Sequence, residues 1–235
     1  MPYYGYGYYF DPTYILVLIG VVISLIASAK VKGTYAKYSK VRSRSGMTGA
    51  QAAQRILQSA GLYEVRIEHI SGSLTDHYDP RTKVLRLSDS VYGSASVAAI
   101  GVAAHECGHA IQDNRSYAPL RIRNALVPAA NIGTQAAWPI ILIGIVFGSS
   151  YFLVNLGILL FSLGVLFQIV TLPVEFDASA RAIRILGDSG ILYDEEVRQT
   201  RKVLSAAAMT YVAAAAASIL SLLRLLILFG GRNRD

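Results

Sequence analysis

The sequence predicts a mainly α-helical, polytopic membrane protein with about four transmembrane helices and a polar α+β portion. The composition is the first reason, because 53% of the 235 residues are hydrophobic and only 16% are charged. Soluble domains contain about 25% charged residues, so this chain is too apolar to be one of them. The second reason is the distribution of charge, which leaves three long stretches without a charged side chain, at residues 14–29, 131–174 and 203–223.

The first predicted span lies within residues 1–30. The uncharged run Tyr14–Ala29 is slightly short, but Phe10–Ala29 is long enough to cross a bilayer. A cleaved signal peptide is the alternative, and it would begin with basic residues. Here the first ten residues contain no Lys or Arg, and Lys30 and Lys32 follow the apolar run. We therefore expect a retained helix with its N-terminus outside the cell.

Residues 131–174 predict a transmembrane hairpin. This stretch of 44 uncharged residues is too long for one span and suits two spans of about 20 residues each. The two helices are expected near Ile132–Phe147 and Phe152–Leu172, with the turn at 148–150.

The C-terminal part, residues 203–235, predicts a fourth span. Its apolar run, Val203–Leu223, is rich in alanine and stops before Arg224. Alanine favours lipid only weakly, so a helix packed on the bundle is the alternative.

Two polar segments, residues 31–130 and 175–202, lie on one side of these four spans. Counted from Lys30, they contain 19 of the 22 Lys and Arg residues of the chain. The positive-inside rule then places both segments in the cytoplasm and the chain in the cell membrane. No nucleic-acid motif accompanies the net charge of +7, so we expect the lipid bilayer as a partner and no nucleic acid.

The segment 31–130 predicts short helices and a small antiparallel sheet. Thr48 is placed to cap a helix that runs to Ala60 and is ended by Gly61. Three short runs follow, separated by turn sequences typical of a meander: Val65–His69, Leu74–Tyr78 and Lys83–Leu87.

A second helix is expected from Ser94 or Ser96 to about Gln112, followed by the amphipathic piece Leu120–Val127. The helix contains the sole cysteine of the chain, Cys107, which we expect to be a small buried residue.

The same helix contains the motif His105-Glu106-Cys107-Gly108-His109, an H-E-x-x-H sequence. Residues four apart on a helix project in nearly the same direction, so both imidazoles can bind one metal ion. Glu106 then lies beside the open coordination position, where a carboxylate can accept a proton from metal-bound water. Two structural histidines on a helix are the alternative interpretation.

Catalytic zinc usually has three protein ligands, and Glu175 is the candidate for the third. It follows the third predicted span and opens a predicted helix to Leu186, on the same side of the membrane as the H-E-x-x-H motif. A carboxylate at a membrane boundary is costly unless it is solvated or paired. Asp177 and His77 are competing ligands, and a helix N-terminal acid is the alternative role for Glu175.

These motifs resemble the YugP-like family of membrane-embedded neutral zinc metallopeptidases. The resemblance is carried by Ala103–Gln112, Pro173–Ser179 and Leu74–Ser88, and it covers roughly the Thr48 helix to the fourth span. It implies a zincin-like fold for the polar portion and a gluzincin-like site. In that site one catalytic Zn²⁺ is held by His105, His109 and Glu175, with Glu106 as the general base.

The sequence E-x-x-A-S at Glu175–Ser179 is more distantly similar to the E-x-x-A-D helix of HtpX-type membrane peptidases. Ser179 stands where that group has an acid. The carboxylate that usually orients a zinc-bound histidine is therefore either absent or supplied from elsewhere.

The predicted function is that of a membrane-bound zinc endopeptidase that cleaves peptide bonds of membrane or membrane-proximal proteins. Candidate donors to the oxyanion are His77, Tyr193, Arg181 and Arg184. The substrate polypeptide is expected to add as a strand to the edge of the sheet, along Val84–Leu87 or Leu74–Tyr78.

Three other functions fit the sequence less well. An intramembrane site-2-type protease would need the motif inside a span, and the apolar run Val97–Ala104 is too short. A transporter would show more polar residues within its spans. A non-catalytic, zinc-stabilised membrane scaffold or assembly factor would have no use for the free base Glu106.

Overall fold

The computed structural model describes residues 11–147 and 150–230. In chain order, the elements are α1 (Tyr14–Tyr38), α2 (Gly49–Ser59), β1 (Arg66–Ile70), β2 (His77–Asp79), β3 (Val84–Ser88), α3 (Asp89–Tyr92), α4 (Val97–Asn114), α5 (Ala118–Val146), α6 (Tyr151–Asp188) and α7 (Asp194–Phe229). The protein is therefore mainly α-helical, as predicted. We call α2, the three strands, α3 and α4 the globular portion.

Within the described residues, four helices are long and apolar enough to cross a membrane: α1, α5, α6 and α7. The fourth predicted span is confirmed in this respect, because Val203–Leu223 lies within the continuous helix α7. The uncharged stretch 131–174 falls in two successive helices, with α5 ending at Val146 and α6 beginning at Tyr151; α5 already begins at Ala118 and includes the amphipathic piece Leu120–Val127. Residues 148–149 of the predicted turn at 148–150 lie outside the described residues, as do residues 1–10 and 231–235.

The first and last spans, α1 and α7, pack against each other. Gly20 lies so close to α7 that an added Cβ would be 3.1 Å from the Cα of Ala217. Small residues allow this kind of close approach between membrane helices. At the far end of the pair, Arg224 Nη2 donates to Asp11 Oδ2 over 3.0 Å, and the guanidinium lies 4.0 Å from the ring centroid of Tyr14.

Helix α6 differs from the prediction, which had a new helix opening at Glu175. In the structure one helix runs through Pro173 and Glu175 to Asp188. Proline removes one backbone hydrogen bond but does not end the helix here. The remaining backbone groups would be costly to leave unpaired in lipid, so the helix continues on both sides of Pro173. Glu175 is therefore attached rigidly to the third span.

The sheet also differs from the predicted antiparallel meander. Its strand order is β1-β3-β2, with β1 parallel to β3 and β2 antiparallel to β3. The meander prediction was wrong because the connection from β1 to β2 is held across the end of β3. Asp76 accepts from the backbone N–H of Ser88 over 2.8 Å, and Asp89 accepts from that of Gly72 over 2.8 Å. Val84–Leu87 is therefore part of the central strand, and the expectation that it forms an edge was wrong.

Helix α4 is the centre of the globular portion. Of its 18 residues, 14 are buried, so it is a core helix and does not face lipid. Its first turn is capped by Ser96, whose hydroxyl accepts from the backbone N–H of Ala99 over 3.2 Å. Cys107 is fully buried, as predicted.

Helix α2 packs on α4 and has the predicted cap. The Thr48 hydroxyl accepts from the backbone N–H of Gln51, and the Gln51 side chain accepts from the backbone N–H of Thr48. This reciprocal pair is a capping box. Gly61 follows the helix with a φ of +73°, a conformation that favours glycine.

Candidate metal and catalytic site

Three metal-binding side chains from two helices meet at one point. His105 and His109 come from α4, and Glu175 comes from α6. Glu175 Oε2 lies 3.2 Å from His105 Nε2 and 3.7 Å from His109 Nε2. All three donor atoms lie within 4.8 Å of one another. Two imidazole nitrogens and one carboxylate oxygen are the donor set of a common class of catalytic zinc site, so these residues fit that ion.

The close approach of α4 and α6 depends on Gly108, which lies between the two histidines. An added Cβ at this position would be 2.7 Å from the backbone oxygen of Ala178. No side chain larger than hydrogen fits without moving one helix. The glycine therefore allows the imidazoles of α4 to reach the carboxylate of α6.

Each histidine has a hydrogen-bond partner at its other ring nitrogen. The Ser179 hydroxyl lies 3.1 Å from His105 Nδ1, and Gln112 Oε1 lies 3.0 Å from His109 Nδ1. Partners of this kind fix the orientation of a metal-binding imidazole. Ser179 thus occupies the orienting position at His105, where the related HtpX-type motif has an acid.

The two competing ligands lie outside the cluster of donor atoms. The carboxylate of Asp177 accepts from Gln112 Nε2 over 2.8 Å and pairs with Arg181. His77 Nδ1 lies 2.9 Å from the backbone oxygen of Thr75. Asp177 therefore holds the partner of His109 in place and is engaged away from the metal-binding atoms.

Glu106 is buried next to the three donors, with a residue exposure of 8%. This burial raises the pKa of Glu106 to about 7, and the negative charge of Glu175 adds to the effect while His105 opposes it. Its carboxylate forms no hydrogen bond to any residue that the structure describes. A carboxyl group with this pKa can both accept and release a proton near neutral pH.

A cavity of about 180 Å³ opens beside these residues. Its wall contains Glu106, His109 and Glu175, and its other lining residues are Asp76, His77, Tyr78, Pro80, Leu120, Arg123 and Tyr211. A cavity with polar groups that converge on candidate catalytic residues is the expected location of a substrate's reacting bond.

Two polar residues of this wall, Arg123 and Tyr211, were not predicted as site residues. Arg123 comes from α5, and its Nη1 lies 3.4 Å from Glu175 Oε1, on the carboxylate oxygen that faces away from the histidines. Tyr211 comes from α7 and is half-buried. Its one sequence signal was a hydroxyl within an alanine-rich span, where polar groups tend to face the protein interior.

Of the four predicted oxyanion donors, His77 lies on the wall of this cavity. Tyr193 is 56% exposed at the start of α7, and Arg181 is paired with Asp177. Arg184 lines a different cavity between α6 and α7. These three are therefore not placed to contact a substrate at Glu106.

The fold and the site together define a multi-pass membrane protein with a cluster of two histidines and a glutamate that could hold a metal ion. The sequence profile of the family described as "Putative neutral zinc metallopeptidase" matches residues 13–230, and the chain belongs to this family. It is 47% identical over 221 residues to "Putative membrane protease YugP" of Bacillus subtilis (strain 168). That match covers 94% of this chain and 98% of the relative. Among solved structures, none matches the chain significantly.

Proposed function

We propose that the protein is a membrane-bound zinc endopeptidase with His105, His109 and Glu175 as zinc ligands and Glu106 as the general base. The observation that carries this proposal is the convergence of Glu175 Oε2 on the two imidazoles, at 3.2 and 3.7 Å, although 70 residues separate it from His105. Family membership supports the same activity.

The chemistry divides between the ion and the residues of the chain. Zinc, when bound, supplies a Lewis acid that polarises a carbonyl and lowers the pKa of water to about 7. Glu106 takes a proton from the attacking water and returns it to the leaving amine, a role that suits its pKa of about 7. Arg123 holds Glu175 Oε1, which leaves Oε2 directed at the histidines.

Negative charge that develops on the substrate oxygen needs a hydrogen-bond donor. His77, Arg123 and Tyr211 line the cavity beside Glu106 and are the donors available to it. Arg123 and Tyr211 both interact with the carboxylate of Glu175, which leaves the imidazole of His77 as the better candidate.

The substrate is a membrane protein or a membrane-proximal segment. Glu175 follows the predicted end of the third span, Leu172, by three helical residues, which is a rise of about 4.5 Å along α6. The cleaved bond must therefore come close to the lipid. Strand β2 is an edge of the sheet, and its residues His77 and Tyr78 line the cavity. A substrate strand that pairs with β2 would pass in front of Glu106.

The distribution of positive charge supports a cytoplasmic globular portion and an N-terminus outside the cell. A single cysteine introduced at exposed Tyr63 in a Cys107→Ala background tests this orientation. We expect it to resist an impermeant maleimide in intact cells and to react after lysis. Labelling in intact cells would contradict the proposed orientation.

The Glu106→Gln variant tests the enzymatic proposal in proteoliposomes that also contain candidate membrane-protein substrates. We expect one zinc per chain in wild type and variant, with cleavage reduced about 10²–10⁴-fold in the variant. Glu68→Gln, on strand β1, is the matched control and should cleave normally. Unchanged cleavage by Glu106→Gln would refute the role of Glu106 as the general base, whereas a zinc-loaded wild type that cleaves none of the membrane proteins would favour the zinc-stabilised scaffold. Efficient cleavage of soluble peptides with every membrane protein spared would refute the substrate class alone.

A further inference from the structure

Two cavities other than the one beside Glu106 meet along one stripe of α7. The first, of about 720 Å³, lies between α6 and α7, and the second, of about 620 Å³, lies between α1 and α7. Both are lined by Arg201, Ser205 and Met209, which follow one another at four-residue intervals on α7. We call these two adjoining cavities the α7 groove.

One end of the α7 groove is strongly basic. Its lining includes one basic side chain from α6, two from α7 and two from α1: Arg184, Arg201, Lys202, Lys30 and Lys37. Against these five positive charges, the lining contains one acid, Asp188.

The two arginines of the groove are not neutralised within the described part of the chain. Arg184 and Arg201 are both exposed, and neither forms an ion pair with a described acid. Lys202, in contrast, lies near Glu195, whose pKa is lowered first by the hydrogen bond and charge of Arg198 and to a smaller extent by Lys202. Arginine guanidinium groups favour phosphate because they can donate two parallel hydrogen bonds to it.

The other end of the groove is apolar and lies toward the membrane. Phe176 and Met209 line it and are 47% and 45% exposed. The basic residues lie where the uncharged runs of α1 and α7 end, since Lys30 directly follows the first run and Lys202 directly precedes the last. The groove therefore crosses the level at which lipid headgroups meet acyl chains.

We propose that the α7 groove binds an anionic phospholipid of the leaflet next to the globular portion. The phosphate lies between Arg184 and Arg201, and an acyl chain lies along Phe176 and Met209. Basic pockets between membrane helices bind such headgroups, and each nearby Lys or Arg adds to the attraction. A free phosphate would satisfy the arginines but leave the apolar end exposed, which is why the groove fits a lipid better.

The test uses the full-length, zinc-loaded protein in nanodiscs and detergent micelles. Native mass spectrometry measures the binding of dioleoyl-phosphatidylglycerol and of dioleoyl-phosphatidylcholine to wild type and to Arg184→Gln/Arg201→Gln. We expect wild type to prefer phosphatidylglycerol and the double variant to lose about 30-fold in affinity for it. Arg66→Gln/Arg81→Gln, which removes the same charge from the exposed surface of the globular portion, is the matched control and should bind like wild type.

Each other outcome overturns the proposal. Equal binding of the two lipids to wild type, or an equal loss in the control variant, would show general charge attraction without a site. Displacement of phosphatidylglycerol by millimolar inorganic phosphate would make free phosphate the ligand.

A photocrosslinker attached to Met209→Cys in a Cys107→Ala background should label lipid in native membranes. Labelling of a polypeptide instead would identify a protein as the occupant. Because Arg184 and Arg201 are exposed, the thermal unfolding temperature of the double variant should match that of wild type, and a large decrease would mean that they serve the fold.

Discussion

The substitution Gly108→Ala tests whether metal binding depends on the close approach of α4 and α6. The added Cβ would lie 2.7 Å from the backbone oxygen of Ala178, whereas ordinary contacts begin at 3.4 Å. The obstructing atom belongs to a helix backbone and cannot rotate away. One helix must therefore shift by about 0.7 Å, the difference between these two distances.

The shift should change the stability of the fold only slightly but the affinity for zinc strongly. Alanine favours the helix interior over glycine by about 1 kcal/mol, and overpacking a core costs about 1–3 kcal/mol. The free energy of unfolding should thus fall by no more than about 2 kcal/mol. Metal sites, however, tolerate deviations of only about 0.2 Å in ligand distance. Zinc affinity should fall about 10–100-fold, which is the loss seen when a hydrogen-bond partner of a metal ligand is removed.

Competition with a zinc chelator measures this affinity, and thermal melting in detergent measures stability. Gly33→Ala is the control, because it makes the same change inside α1 at a position with nothing within 4 Å of the added Cβ. We expect it to bind zinc normally. Wild-type zinc affinity in Gly108→Ala would refute the idea that this glycine brings the ligands together.

Two further predictions concern the residues next to the metal ligands. In metal-free protein, burial raises the pKa of Glu106 from 4.5 to about 7, so the folded state keeps a proton that the unfolded chain has lost. The free energy of unfolding should therefore decrease by up to about 3 kcal/mol as pH rises from 4.5 to 7. Thermal melting of the chelator-treated Glu106→Gln variant should lack this decrease. Parallel pH profiles of variant and wild type would show that Glu106 is not the group that titrates. The Gln112→Leu variant should weaken zinc binding about 10–100-fold because His109 Nδ1 loses its hydrogen-bond partner. Gln54→Leu, at an exposed position of α2, is the control and should bind zinc normally. Equal zinc affinity in the two variants would show that Gln112 does not orient the imidazole of His109.

The parts of the protein that the sequence predicts well depend on local repeats. Uncharged runs of about 20 residues predict spans without knowledge of the packing. The helical repeat places His105 and His109 on one face of α4. Glu175 could be proposed because its position at the end of a span made an acid unusual there. In each case a short stretch of sequence is enough to make the prediction, because the feature depends on residues that are close together in the chain.

The parts that were missed depend on contacts between distant residues. The parallel pairing of β1 with β3 joins segments that are not successive strands, and turn signals between successive strands do not reveal it. Arg123 and Tyr211 reach the cavity because α5 and α7 pack beside α6. The hydroxyl of Tyr211 within an alanine-rich span indicates that it faces the protein interior, but no sequence pattern shows that either residue lies beside the proposed metal ligands.

The pairing of the first and last spans has a consequence for how the protein is made. Asp11 and Arg224 are 213 residues apart, so their ion pair cannot form until synthesis is almost complete. Until then, the small-residue face around Gly20 has no neighbour from its own chain and is covered by lipid. Truncation before α7 would therefore leave this face of α1 without the helix that packs against it.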